Sequence, residues 1–156
     1  MAIQDYVGRK IDILAYYTEE TGVGEVQLKP ELAPQGTGGL LTTGIQKLAQ
    51  RFLLELLTEK GSMLYLPTRG CDFMKEARLG YLRTPLDVMA SFSAALSDIK
   101  RNLRLEELET DAADERLASA EVLSVSLSGD TASVSVQVLS QAGTTRTVVA
   151  PLAVTI

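Results

Sequence analysis

Near Leu117 the spacing of apolar residues changes from about 3.6 residues to two, which restricts the chain to an α+β architecture with helices first and a sheet last. Past the switch, Leu123, Val125 and Leu127 alternate with Ser124 and Ser126, and Ser128, Gly129 and Asp130 supply a turn. Val134, Val136 and Val138 then alternate with Ser133, Ser135 and Gln137. Alternation of this kind describes strands with one apolar and one polar face. Gln141, Ala142 and Gly143 form the next turn, and Thr144 to Ile156 reads as a third strand with Val148, Ala150, Leu152, Val154 and Ile156 on one side. The expectation is a three-stranded antiparallel meander packed on helices. Because Pro151 donates no ladder hydrogen bond and the strand stays apolar to Ile156, its outer edge needs a cover: a helix, an N-terminal strand or a partner.

Before the switch the period is helical. Ile45, Leu48, Ala49, Phe52, Leu53, Leu56 and Leu57 mark an amphipathic helix. Thr43 stands at its N-cap with Gln46 completing a capping box, and Gly61 stands at a left-handed C-terminal cap. A short helix is predicted over Asp72 to Leu79, ending at Gly80. Thr84 caps the longest helix, Pro85 takes its first position, and Leu86, Met89, Phe92, Leu96, Ile99 and Leu103 form its apolar face. Asp87, Asp98, Lys100, Arg101 and Arg104 make a solvated face, and the acidic stretch 106–116 leads into the sheet. At the N-terminus, Lys10 to Tyr17 reads as a short strand. Thr18 to Gly39, with five of the twelve glycines and two of the five prolines, reads as a loop or extended arm ordered against a neighbour. The chain thus divides into an N-terminal strand and arm over residues 1–40 and an α+β domain over residues 41–156.

Composition narrows the chemistry. The 156 residues suit one domain able to bury roughly 70% of the surface of its unfolded chain. Cys71 is the single cysteine and histidine is absent, which excludes an internal disulfide, a cysteine-rich zinc site, and Ser/His, Cys/His and His-metal chemistry. A net charge of −5 argues against nucleic acid as the main partner. No apolar run approaches the ~20 residues of a membrane span, and the start MAIQDYVGRK lacks the apolar core of a signal peptide.

The remaining candidates for chemistry are sparse. Glu106 with Glu107, and Asp114 with Glu115, are sequence neighbours and do not face each other. Glu55 and Glu59 lie one helical turn apart, at what reads as the solvated edge of the first helix. The GVG and GTGG stretches match no phosphate-binding fingerprint, and Tyr16, Tyr17, Tyr65 and Tyr81 lack the basic interleaving of a base-stacking platform. Cys71, near Arg69, reads as a buried structural cysteine rather than an activated thiol. No catalytic, cofactor or metal site follows. The reading by elimination is a protein-binding α+β domain.

The segment from Gly44 onward resembles the small wedge subunit of contractile-tail baseplates, the lysozyme-like family of tailed phages, type VI secretion systems and related particles. That family opens with a helix of this type, continues with a Thr-x-x-Gly loop, and has a further Gly about nine residues on; Thr58, Gly61 and Gly70 occupy those places, with Lys60 and Ser62 beside them. A long helix follows, then an acidic-Pro-Arg-aliphatic signature before a terminal meander. Asp114, Glu115, Arg116 and Leu117 stand there, with Glu115 in place of the proline. The resemblance covers about residues 41 to 156. It implies a structural protein without enzymatic activity, located in a virion tail baseplate and assembled in the host cytoplasm. It also implies docking on the larger wedge subunits through Asp114, Arg116 and Leu117. A further implication is initiation of the tail sheath, the sheath protein's strands joining the terminal strand at Val148, Ala150, Leu152, Val154 and Ile156 by strand addition. The arm over residues 1–40 would reach the tail tube, the hub or another wedge subunit. The alternatives are a peptidoglycan glycosidase using Glu55 and Glu59 and a non-viral protein-binding adaptor.

Overall fold

The structure is a computed structural model that describes residues 10, 12–13, 16–21, 25–32 and 41–153. Its elements in chain order are β1 (Asp12–Ile13), β2 (Tyr16–Thr21), β3 (Glu25–Leu32), β4 (Leu41–Thr42), α1 (Gly44–Leu57), α2 (Phe73–Arg78) and α3 (Pro85–Glu106). A 3-10 turn (Ala113–Glu115) follows, then β5 (Leu117–Ser128), β6 (Thr131–Ser140) and β7 (Thr145–Ala153). This is the α+β class, with β5, β6 and β7 forming the antiparallel meander. Within the larger sheet the strand order is β2-β3-β7-β6-β5, and β1 pairs separately with β4.

The Val/Ser alternation sorts the meander's faces. Val134, Val136 and Val138 of β6 register with Ala150, Val148 and Arg146 of β7, and all three valines are fully buried beneath the helices. Leu48, Phe52 and Leu56 of α1, Phe73 of α2, and Phe92, Ile99 and Leu103 of α3 fill the space above them. Phe92 sits at the centre, its ring centroid 6.4 Å from Phe52 and 6.2 Å from Phe73, the latter edge to face. Each buried ring contributes about 1.5–3 kcal/mol through burial, and edge contacts add ~0.5–1.5 kcal/mol.

Several local expectations are corrected. At α1, Thr43 is the N-cap but its side chain makes no cap hydrogen bond; the carboxylate of Glu115 accepts the Gly44 N–H of the first turn at 3.0 Å. Gly61 does not cap the helix. α1 ends at Leu57, where the Thr58 hydroxyl and N–H both return to the Leu54 carbonyl, and Gly61 turns the loop beyond. The buried face of α3 carries Val88, Ser91, Phe92, Ala95, Ile99, Asn102 and Leu103, so Leu86 and Met89 are exposed rather than core. In β5 a register shift between Val122 and Ser124 carries Val122, Val125 and Leu127 inward and leaves Leu123 outside. The capping of α3 is as read: Thr84 accepts from the Asp87 N–H while Asp87 accepts from the Thr84 N–H, with Pro85 following.

The segment read as a loop from Thr18 to Gly39 instead supplies most of β2 and all of β3. β3 runs parallel to β7, with Gln27 opposite Thr147 and Leu28 opposite Val148. The last strand therefore has a neighbour on its second edge over that stretch. The GVG and GTGG stretches, Val154 and Ile156 lie outside the described residues.

Candidate functional site

The first unit is the Thr58–Gly70 region, where a helix end, a loop and α3 are tied by one carboxylate. Cys71 N–H donates to the Thr58 carbonyl at 3.0 Å and Lys60 N–H to the Cys71 carbonyl at 3.1 Å. A short parallel bridge between Glu59 and Cys71 closes the loop. Glu55 is only 3% exposed, contrary to its reading as a solvated edge residue. Its carboxylate accepts from Gly70 N–H at 2.9 Å and Asn102 Nδ2 at 3.1 Å and pairs with Arg69. A buried carboxylate this well supplied is a structural tie. Glu59 turns to Arg78 at 3.0 Å, so the two carboxylates proposed for glycosidase chemistry are engaged by different partners. The Cys71 thiol, fully buried beside the Leu56 carbonyl, has its pKa pushed up to about 11, by burial first. It is the buried structural cysteine that the sequence suggests.

The second unit is the signature Asp114 to Leu117, which follows the end of α3. Glu115, standing where the resembled family has proline, is buried and fixes its turn by side chain instead of by ring. Besides Gly44 it accepts from Lys47 Nζ at 3.3 Å, while that ammonium also donates to the Lys10 carbonyl at 2.6 Å. Leu117 is fully buried and its N–H donates to Glu107 Oε1 at 2.8 Å. Burial raises the Glu107 pKa, opposed by that hydrogen bond. Asp114 and Arg116 are half-buried. Of the signature residues, these two alone leave side-chain surface for a partner.

Beside this turn lies a cleft of about 380 Å³ lined by Lys10, Lys47, Arg51 and Arg69 and by Asp12, Glu106, Asp111 and Glu115. Lys10 pairs with Asp111 at 2.9 Å, and Glu106 with Arg51 at 2.9 Å and with Arg69. Burial pushes the Glu106 pKa up, but the hydrogen bonds from Arg51 and Arg69 prevail and hold it below the usual range. Charges balanced in this way bind the N-terminal segment to α1 and the end of α3. The four cations and four anions of the lining cancel in formal charge. Among the described residues no group of three or more His, Cys, Asp or Glu is placed to hold a metal, and no helix is long and apolar enough to cross a membrane.

The third unit is β7. The β6–β7 turn closes with Ser140 N–H donating to the Thr144 carbonyl at 2.9 Å and Gly143 N–H to the Ser140 carbonyl at 3.0 Å. With Ser140 and Thr144 as a hydrogen-bonded pair, antiparallel alternation makes Val138–Arg146, Val136–Val148, Val134–Ala150 and Ala132–Leu152 the next such pairs. The even-numbered residues of β7 therefore spend their main-chain groups on β6. Their side chains at Val148, Ala150 and Leu152 are buried in the core. Main-chain groups of Thr145, Thr147, Val149, Pro151 and Ala153 point to the outer edge. The missing N–H of Pro151 falls on that edge, where it breaks no bond to β6. Of the predicted partner residues on this strand, Val148, Ala150 and Leu152 thus hold the fold, and contact along the edge belongs to their odd-numbered neighbours.

Comparisons with protein-family models, with curated proteins and with solved structures give no match. The class defined by fold and surface is an α+β protein with one helix-covered sheet face and a partly used sheet edge. Sequence reading missed Glu55 and Lys47 as buried charges and Arg146 as a half-buried one. The signal existed: Glu55 follows Leu48 by seven positions, and Arg146 is in phase with Val148 and Ala150.

Proposed function

We propose that this chain is a structural wedge component of a contractile-tail baseplate. It docks on the larger wedge subunits through Asp114 and Arg116 and initiates the sheath by accepting a strand along the outer edge of β7. The reading rests on the ordered series Thr58, Gly61, Gly70 and Asp114 to Leu117. The observation that carries the strand-addition step is the orientation of β7: β3 registers with it at Thr147 and Val148, which engages the Val149 N–H, and the Pro151 carbonyl and the main-chain groups of Ala153 face outward beyond that pairing. An incoming strand gains hydrogen bonds there and displaces nothing from the core. Main-chain bonding distributed along a segment also suits an interface under mechanical load.

A substitution at Ala153 tests this better than removal of the strand's end, because loss of residues 147–156 takes Val148, Ala150 and Leu152 out of the core. Ala153→Pro deletes one outward N–H and leaves the β6 ladder and the β3 pairing intact. The expected outcome is a folded protein by circular dichroism whose tails assemble baseplates without nucleating sheath. Sheath nucleation at wild-type efficiency would refute strand addition at this edge.

A further inference from the structure

Among the described residues, the buried side-chain atoms lacking a hydrogen-bond partner are Thr42 Oγ1, Gln46 Nε2, Ser91 Oγ, Arg116 Nε and Arg146 Nε. All but Ser91 belong to one end of the fold. Thr42 and Gln46 flank the first turn of α1, whose Gly44 N–H is held by Glu115, the neighbour of Arg116. The Arg116 carbonyl accepts from Gln141 N–H at 2.9 Å in the β6–β7 turn, and Arg146 follows that turn on β7. Register with Val138 places Arg146 on the helix-covered face of the sheet.

Each of these groups can donate, and leaving a buried donor unpaired is unfavourable. The first-turn N–H groups of α1 add partial positive charge at the same end. Arg146 has no ion-pair partner among the described residues, although the chain carries a net charge of −5. Burial alone shifts its pKa downward. The nearby carboxylates are engaged: Glu115 by Gly44 and Lys47, Glu107 by the Leu117 N–H. Donors without acceptors at the same end of the fold as a half-buried guanidinium describe a site complementary to an anion supplied from outside.

We propose that this end of the fold, with Arg146 as its cation and Gln46, Thr42 and Arg116 as further donors, receives a carboxylate side chain from a protein partner. A carboxylate fits better than a phosphate. Its single charge and planar pair of oxygens match a guanidinium fork, whereas a dianion would meet the neighbouring Asp114 and Glu115. The inference rests on the baseplate reading for the identity of the partner, an acidic surface of a larger wedge subunit, but not for the existence of the site.

The test uses the full chain and Arg146→Met, which keeps the side chain's length and removes its charge. If the cation is unpaired in the free protein, Arg146→Met melts as high as the wild type or about 2–4 °C higher. A variant melting lower than wild type overturns the inference. Added sodium acetate, compared with chloride at equal ionic strength, raises the melting temperature of the wild type more than that of the variant; equal shifts overturn the site. In tail assembly, Arg146→Met lowers co-purification of the chain with wedge subunits at least roughly tenfold and Arg146→Lys restores part of it. Undiminished co-purification overturns the carboxylate partner. A wild-type chain absent from contractile tails would instead sink the baseplate reading, while the melting and acetate arms still judge the site.

Discussion

Replacing Gly70 by alanine should damage this protein far more than the same change at Gly61, although both glycines have left-handed backbones, with φ of +81° and +83°. The shared part of the cost is the left-handed conformation, about 1–2 kcal/mol for a residue with a Cβ. It is offset by ~0.4–1 kcal/mol because alanine restricts the unfolded chain. For Gly61 nothing lies within 4 Å of the added carbon, so the net loss is on the order of 1 kcal/mol. At Gly70 the new carbon would overlap the Thr58 carbonyl oxygen and lie 2.7 Å from its carbon. That carbonyl accepts the Cys71 N–H, and Gly70's own N–H is held by Glu55 at 2.9 Å, so the loop cannot move aside without opening the bridge. Loss of the neutral bond and the charge-assisted one adds about 2–4 kcal/mol. The total is about 3–5 kcal/mol, which for a domain of this size corresponds to a melting temperature lower by roughly 6–20 °C. Urea titration of the wild type, Gly61→Ala and Gly70→Ala, followed by circular dichroism, measures the contrast. Agreement of the two variants within about 0.5 kcal/mol would refute the argument that the bridge is closed by a contact only glycine permits.

Two further outcomes follow from buried ionisable groups. Glu115→Gln retains an oxygen for the Gly44 N–H but leaves the Lys47 ammonium buried without its counter-charge, and should cost about 3–5 kcal/mol in a urea melt; a loss under about 1 kcal/mol would mean that Lys47 finds compensation elsewhere. For Cys71 the folded pKa of about 11 lies above the ordinary thiol value of 9.0, so folding favours the neutral thiol. Its contribution is fully present below pH 9 and is lost as pH rises from 9 toward 11. The stability difference between wild type and Cys71→Ala should therefore shrink across that window. A difference that stays constant with pH would show that the thiol is not desolvated.

Much of the framework could be read directly because its signals are local. The capping box at Thr84, the turn glycines Gly80, Gly129 and Gly143, and the alternation in β6 each follow from neighbouring residues alone. The errors share a different origin. Thr43 makes no side-chain cap bond, and the side chain that does hold a first-turn N–H is Glu115, 71 positions from Gly44, a carboxylate that only the folded chain brings to the helix. Leu86 and Met89 fit a helical stripe as well as Val88 and Ala95 do, and the choice of face is made by what α3 packs against. Leu123 is displaced by a register shift that no periodicity announces. Similarly, the strand β3 lies in a glycine- and proline-rich stretch whose composition favours a loop, and pairing with β2 and β7 overrides it. At the candidate sites, the strand was legible but its division into core-facing and edge-facing residues needed the turn geometry at Ser140 and Thr144.

The strict alternation of β6 has a consequence for anything that pairs with this sheet. A slip of one residue would carry Ser133, Ser135 and Gln137 into the core in place of Val134, Val136 and Val138, so the meander tolerates no intermediate register. Because β7 takes its phase from β6, any strand laid along its edge inherits that phase. Its position is then quantised in steps of two residues, about 6.8 Å. The sheet works as a ruler, setting where along the molecule a neighbour begins.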